Sequence, residues 1–144
     1  MIITFCGHSD YHTDEADKAR LLSFLEEHVG DQAADFYLGG CGAFDSLARD
    51  CAKDFQKTHP KTKLILVTAY INRTPRSNEY DETIYPHLEN TLPKFAISRR
   101  NKWMIEKADL VIAYINHSFG GAFQSYIHAK KKKKPVFNLT GLDF

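Results

Sequence analysis

Three times in this chain a short apolar run ends near glycine and gives way to residues spaced for a helix. Ile2, Ile3 and Phe5 stop at Gly7-His8, and Phe36, Tyr37 and Leu38 run into Gly39-Gly40-Cys41-Gly42. The run at 110–114 is followed closely by Gly120-Gly121-Ala122. Brief, continuous apolar runs suit strands buried on both faces. Strands alternating with helices imply a parallel sheet with helices packed on either side. At 144 residues the chain has the length of one domain built around one core.

The elements can be read in order. After the first strand, Thr13 is the expected helix N-cap, with Asp14, Glu15 and Asp17 in a first turn that favours acids; Leu21, Leu22, Leu25 and Val29 form the apolar face, and Gly30 is the stop. Phe44, Leu47, Ala48, Cys51, Ala52 and Phe55 follow the helical spacing more closely than any other segment. Leu64, Ile65, Leu66 and Val67 predict a third strand. Between residues 70 and 95 the periodicity fails around Pro75, Pro86 and Pro93, as in a lid or binding loop. Helices at 97–108 and 120–130 then alternate with strands at 110–114 and 136–138. The predicted fold is α/β, a Rossmann-like three-layer α/β/α domain with a mainly parallel sheet of about five strands. The lysine run at 130–134 falls where a helix ends before Pro135, so its charges suit the helix dipole and solvent.

Composition narrows the classes of function. The net charge of +1 gives no overall attraction to nucleic acid or membranes, so neither is expected as a partner. Cys6, Cys41 and Cys51 are odd in number and lack CxxC spacing, which fits a reducing compartment. The N-terminal apolar run is too short for a leader or a span and reads as a strand, so a cytoplasmic location is expected.

In open parallel sheets ligands sit beyond the carboxyl ends of the strands, where strand order reverses. Glycine turns there allow close approach, and the following helices offer unpaired N–H groups to an anion. The candidate ligand-binding positions are therefore Gly7, His8, Gly39, Gly40, Gly42, Gly120, Gly121 and Ala122. Asp45, in the first turn after the second glycine cluster, is either an acid favoured by the dipole or a partner for a ribose hydroxyl. The dinucleotide pattern GxGxxG is absent, which argues against an ordinary NAD-dependent dehydrogenase. On the helix from Ile97, the inward stripe of Ile97, Met104 and Ala108 also carries Arg100 and Asn101. Arg100 is either satisfied by carbonyls at neighbouring strand ends or, like Arg99 beside it, forks onto a phosphate or carboxylate. His8 and His117 lie at predicted strand ends. His12, His28, His59, His87 and His128 read as surface or loop residues, and no histidine has convincing metal-ligand spacing. Neither a metal nor a resident cofactor is expected.

Several of these segments together resemble the SLOG superfamily, which joins DprA-like and LOG-like Rossmannoid proteins, and most closely its small YpsA-like branch. They are Phe5-Cys6-Gly7-His8, the stretch from Gly39 through Asp45, Arg99-Arg100-Asn101 with Met104, and Gly120-Gly121-Ala122. Tyr80-Asp81-Glu82, Tyr85-Pro86 and the segment from Phe95 to Asn101 extend the likeness over nearly the whole chain. The resemblance implies a nucleotide, nucleoside or ADP-ribose-like ligand over the glycine turns, in a protein of bacterial or phage type. LOG phosphoribohydrolases carry a glutamate shortly after a Gly-Gly-x-Gly-Thr turn, whereas Gly120-Gly121-Ala122-Phe123-Gln124-Ser125 has no acid. Hydrolysis would need its carboxylate from Asp45, Asp81 or Glu82.

The expected function is binding of a nucleotide-derived small molecule, as a sensor or sequestering module. The alternative is an N-glycosidic-bond hydrolase or transferase with Asp45 as the candidate catalytic residue. A single-strand nucleic-acid role ranks behind both because of the balanced charge. Trp103, off the apolar stripe of its helix, is a candidate homodimer marker.

Overall fold

A computed structural model describes residues 1–71 and 79–144. Pro75 and the rest of 72–78 lie outside the described residues. Six strands and four α-helices follow in the order β1 (Ile2–Gly7), α1 (Glu15–His28), β2 (Ala34–Leu38), α2 (Ala43–Thr58), β3 (Thr62–Val67), β4 (Glu82–Ile84), α3 (Ala96–Lys107), β5 (Leu110–Tyr114), α4 (Gly121–Lys131) and β6 (Val136–Asn138). A 3-10 turn at Pro93–Phe95 leads into α3.

All the strands are parallel, in the order β4-β3-β2-β1-β5-β6. From β1 the chain builds outward through β2, β3 and β4, then returns to β1's other side with β5. The reversal of order lies between β1 and β5, whose register pairs Gly7 with Tyr114 at their carboxyl ends. Helices α1 and α2 cover one face, where Phe36, Phe44, Leu47 and Phe55 join Leu21 and Leu25 in the main core. Helices α3 and α4 cover the other, with Ile105, Val111, Tyr126 and Ala129 packed together. The six apolar positions of the α2 stripe are all buried, so the helical spacing reports a real face.

Several expectations need correction. The sheet has six strands, because Glu82–Ile84 adds an edge to β3 in the segment without periodicity. This edge strand is mostly exposed and therefore has no apolar alternation to display. It is registered by polar bonds instead: Asp81 Oδ2 accepts from the Leu64 amide and from Gln56 Nε2, each at 2.8 Å. Charges on such an edge also discourage pairing with another chain. The N-cap of α1 is Asp14, not Thr13; its carboxylate accepts from the Ala16 amide at 2.8 Å. His59 is buried, with its ring stacked on Phe55 at 3.8 Å and its Nε2 3.2 Å from Glu26. Trp103 is half-buried rather than exposed, and lies parallel to Tyr37 with 5.7 Å between centroids. Ala96 takes the buried position expected of Ile97, which is exposed. No helix of the described residues is long and apolar enough to cross a membrane.

Candidate functional site

Above the β1/β5 reversal lies a cleft of about 390 Å³, within the usual size range for small-ligand sites. Its floor is the end of β1 from Thr4 to Gly7, continued by His8, Ser9 and Asp10. Helix α3 forms one wall with Ile97, Arg100, Asn101, Met104 and Ile105. The loop and first turns of α4 form the other, with His117, Phe119, Gly120, Gly121, Ala122 and Ser125. Cys41 and Asp45 reach in from the start of α2.

The cleft thus gathers Gly7, His8, Asp45, Arg100, Asn101, His117, Gly120, Gly121 and Ala122. Gly39, Gly40, Gly42 and Arg99 are not in its lining. Arg99 is exposed and faces a shallow groove with Asn90, Leu92 and Phe95. Asp81 and Glu82, the alternative sources of a carboxylate, sit at the β3/β4 edge. Phe119, Ser9, Asp10 and Ser125 line the cleft without having been singled out from the sequence. Only Phe119 had a local signal, as an isolated aromatic before a glycine pair.

The glycines divide into two kinds. A Cβ at Gly7 would lie 2.2 Å from Cγ of the buried Phe44 ring, and one at Gly39 would lie 3.0 Å from the Arg100 guanidinium carbon. At Gly42 it would lie 2.9 Å from the Ser9 backbone, whose carbonyl accepts from the Ala43 amide at 3.1 Å. The first two turns are therefore packed against the protein itself. The third is open: a Cβ at Gly120 or Gly121 would meet nothing of the described residues within 4 Å. Gly120 has φ +94°, a conformation that excludes most side chains.

That third turn begins α4 without a side-chain cap or an acid in the first turn. Its first intrahelical bond to Gly120 runs from the Gln124 amide, leaving the preceding amides without a partner in the helix. By contrast, α1 is capped by Asp14, and Asp45 Oδ2 folds back over α2 to accept from the Cys41 amide at 3.1 Å. The bare positive end of α4 faces the cleft.

Arg100 is only 3% exposed. Its Nη1 donates to the carbonyls of Gly39 at 2.9 Å and Val67 at 3.0 Å, and its Nε donates to Asn101 Oδ1 at 2.9 Å. The reading in which strand-end carbonyls satisfy Arg100 therefore holds for Nη1. Two of its nitrogens bind the protein, whereas Nη2 has no hydrogen-bond partner among the described residues and is not sealed from the cleft. Burial pushes the Asp45 carboxyl up to about 6, against the Cys41 hydrogen bond and the Arg100 cation, which both lower it. Burial pushes the Cys6 thiol up to about 12, with Asp45 adding to the effect. Such a thiol is not a nucleophile at neutral pH. His8 is held below the ordinary imidazole range by burial and by His117, with Asp10 opposing. Its Nε2 accepts from the Asn116 amide at 3.3 Å, which places the ring proton on Nδ1. No group of three or more His, Cys, Asp or Glu among the described residues is placed to hold a metal.

No protein-family model matches the chain, and no curated protein matches it in sequence. Its fold is similar to that of DNA processing protein A from Helicobacter pylori, a structure concerned with a single-stranded DNA binding mode. The TM-score is 0.65 and the identity 19%, over 96% of this chain and 64% of that one. DNA processing protein A from Streptococcus pneumoniae gives a TM-score of 0.66 at 15% identity, over 94% of this chain and 49% of that one. The molybdenum cofactor carrier protein from Chlamydomonas reinhardtii gives 0.60 at 20% identity, over 94% and 73%. The chain therefore spans less than two thirds of either DNA processing protein. The class is that of a Rossmann-like α/β domain, with the fold shared by DprA. The expectation that nucleic acid is not a partner is overturned, since a domain of this architecture occurs in a protein with a single-stranded DNA binding mode. Net charge describes the whole surface and does not report the local groups that hold a strand.

Proposed function

We propose that this domain binds a nucleotide or nucleotide-derived small molecule in the β1/β5 cleft, as a sensor or sequestering module of the YpsA-like kind. The reading rests on one juxtaposition: an uncapped helix start with open space over Gly120-Gly121 shares a cleft with a buried arginine whose Nη2 has no partner among the described residues. A guanidinium nitrogen left unpaired by the protein keeps its N–H donors for a ligand. Phosphate or pyrophosphate oxygens suit both groups. Asp45, across the cleft, suits the hydroxyl donors of a ribose. A thermal-shift panel of AMP, ADP-ribose and cyclic nucleotides tests this. A ligand at a hundred times its dissociation constant raises native stability by about 2.7 kcal/mol. The same ligand should be recovered unchanged after incubation, and a panel with no shift rejects the reading.

The elevated Asp45 favours a second reading, N-glycosidic cleavage, because a carboxyl near 6 is suited to proton transfer close to neutrality. Release of free base from the bound ligand, abolished in Asp45→Asn with binding retained, would establish it. A full-rate Asp45→Asn variant would exclude Asp45 as its catalytic residue.

A further inference from the structure

The rings of His8, His117 and Phe119 form a ladder that climbs from the floor of the cleft to its rim. His8 is 5% exposed, and the His117 ring lies over it with centroids 3.5 Å apart and planes within 10°. Phe119 continues the ladder over His117 at 4.0 Å, tilted by 36°. The lower rungs are held in place: the Asn116 amide donates to His8 Nε2, and Asn116 Oδ1 lies 2.6 Å from His117 Nδ1. The top rung is 68% exposed, and His117 is its only ring partner among the described residues. A large apolar ring is thus offered to solvent at the lip of the cleft, with a face open to a further stacking partner.

We propose that Phe119 is the shelf on which the ligand's nucleobase stacks, extending the ladder by one planar ring. The inference rests on the anion-binding reading above and adds which part of the ligand goes where. Phe119 directly precedes Gly120, so the shelf and the uncapped α4 amides are adjacent along the chain, about 3.8 Å from one α-carbon to the next. A molecule with a planar base and a phosphate a few bonds apart engages both. A sugar phosphate alone engages only the amides and Arg100 Nη2. Stacking tolerates any base, because every base has an apolar face. The occupant is thus a mononucleotide chosen for carrying a base rather than for which base it carries.

Calorimetric titration of AMP and ribose 5-phosphate into the wild-type chain, Phe119→Ala and Phe119→Trp tests the assignment. Because the side chain is exposed, both variants should fold. The wild type should bind AMP about tenfold tighter than ribose 5-phosphate, and Phe119→Ala should erase that advantage without changing ribose 5-phosphate affinity. Phe119→Trp should keep the advantage, with fluorescence quenched by AMP and not by ribose 5-phosphate. Unchanged AMP affinity in Phe119→Ala, with both ligands still binding, overturns the shelf and leaves the anion site standing. Failure of both ligands on the wild type removes the anion site and the shelf together. An oligothymidylate that binds through Phe119 while AMP does not would overturn the mononucleotide assignment in favour of a strand.

Discussion

Arg100 spans 61 positions of sequence to donate from Nη1 to the Gly39 carbonyl at 2.9 Å, tying α3 to the end of β2. The same nitrogen reaches Val67 at the end of β3. The absence of a side chain at Gly39 lets the guanidinium lie there, since a Cβ would fall 3.0 Å from its central carbon. One buried cation thus fastens two strand ends while lining the cleft.

Arg100→Met should be less stable than the wild type by about 2–4 kcal/mol in urea unfolding, because it removes the donor from two buried carbonyls. Arg100→Lys should recover part of that loss. It should still bind AMP more weakly than the wild type, because one ammonium cannot serve the carbonyls and the ligand as a fork does. An Arg100→Met protein with wild-type stability would contradict the clamp.

Gly7→Ala and Gly121→Ala should behave oppositely. The first drives a methyl into the buried Phe44 ring and should cost about 1–3 kcal/mol or more by overpacking. The second enters open space at the start of α4, where alanine favours the helix, so its melting temperature should hold or rise. Its AMP affinity should fall at least tenfold. Equal stability losses in the two variants would show that the third turn is packed like the first.

Asp45→Asn should be more stable than the wild type above about pH 6. Because the native carboxyl is raised from 3.8 to about 6, the folded chain keeps a proton that the unfolded chain releases in that window. Wild-type stability therefore falls as pH climbs through the window, and the deficit is complete above it. The gain in the variant should reach up to about 3 kcal/mol at pH 7.5 and fade towards pH 3.8. Thermal melts across that range measure it, and a difference independent of pH would contradict the burial of this charge.

Asp81→Ala should release the β4 edge from Leu64 and Gln56 at a cost of about 1–2 kcal/mol. Nucleotide affinity should not change, because Asp81 does not line the cleft. A loss of affinity at constant stability would bring that carboxylate back as a ligand contact.

What the sequence made legible was whatever repeats along the chain. The α2 stripe from Phe44 to Phe55, the bounds of β5 and β6, and the glycine turns at the ends of buried strands are all local patterns. The β4 edge was hidden because an exposed three-residue strand held by Asp81 needs no apolar pattern. His59 was hidden because its burial depends on Phe55 and Glu26 together. The glycines look alike in sequence, yet Gly7 and Gly39 make room for Phe44 and Arg100 while Gly121 faces open space. That difference belongs to distant residues and becomes visible only in three dimensions. Phe119 was passed over because one aromatic in a turn means little until His8 and His117 are found stacked beneath it.

Negative oxygens of a nucleotide resting on the backbone at the start of α4 should perturb the amides there. Amide resonances followed by NMR during an AMP titration report this directly. Saturable shifts should concentrate at Gly120, Gly121 and Ala122 and at the Arg100 side chain, while Phe24 of α1 and Phe137 of β6, stacked 4.0 Å apart, stay still. Shifts gathered elsewhere, or none at millimolar AMP, would contradict it.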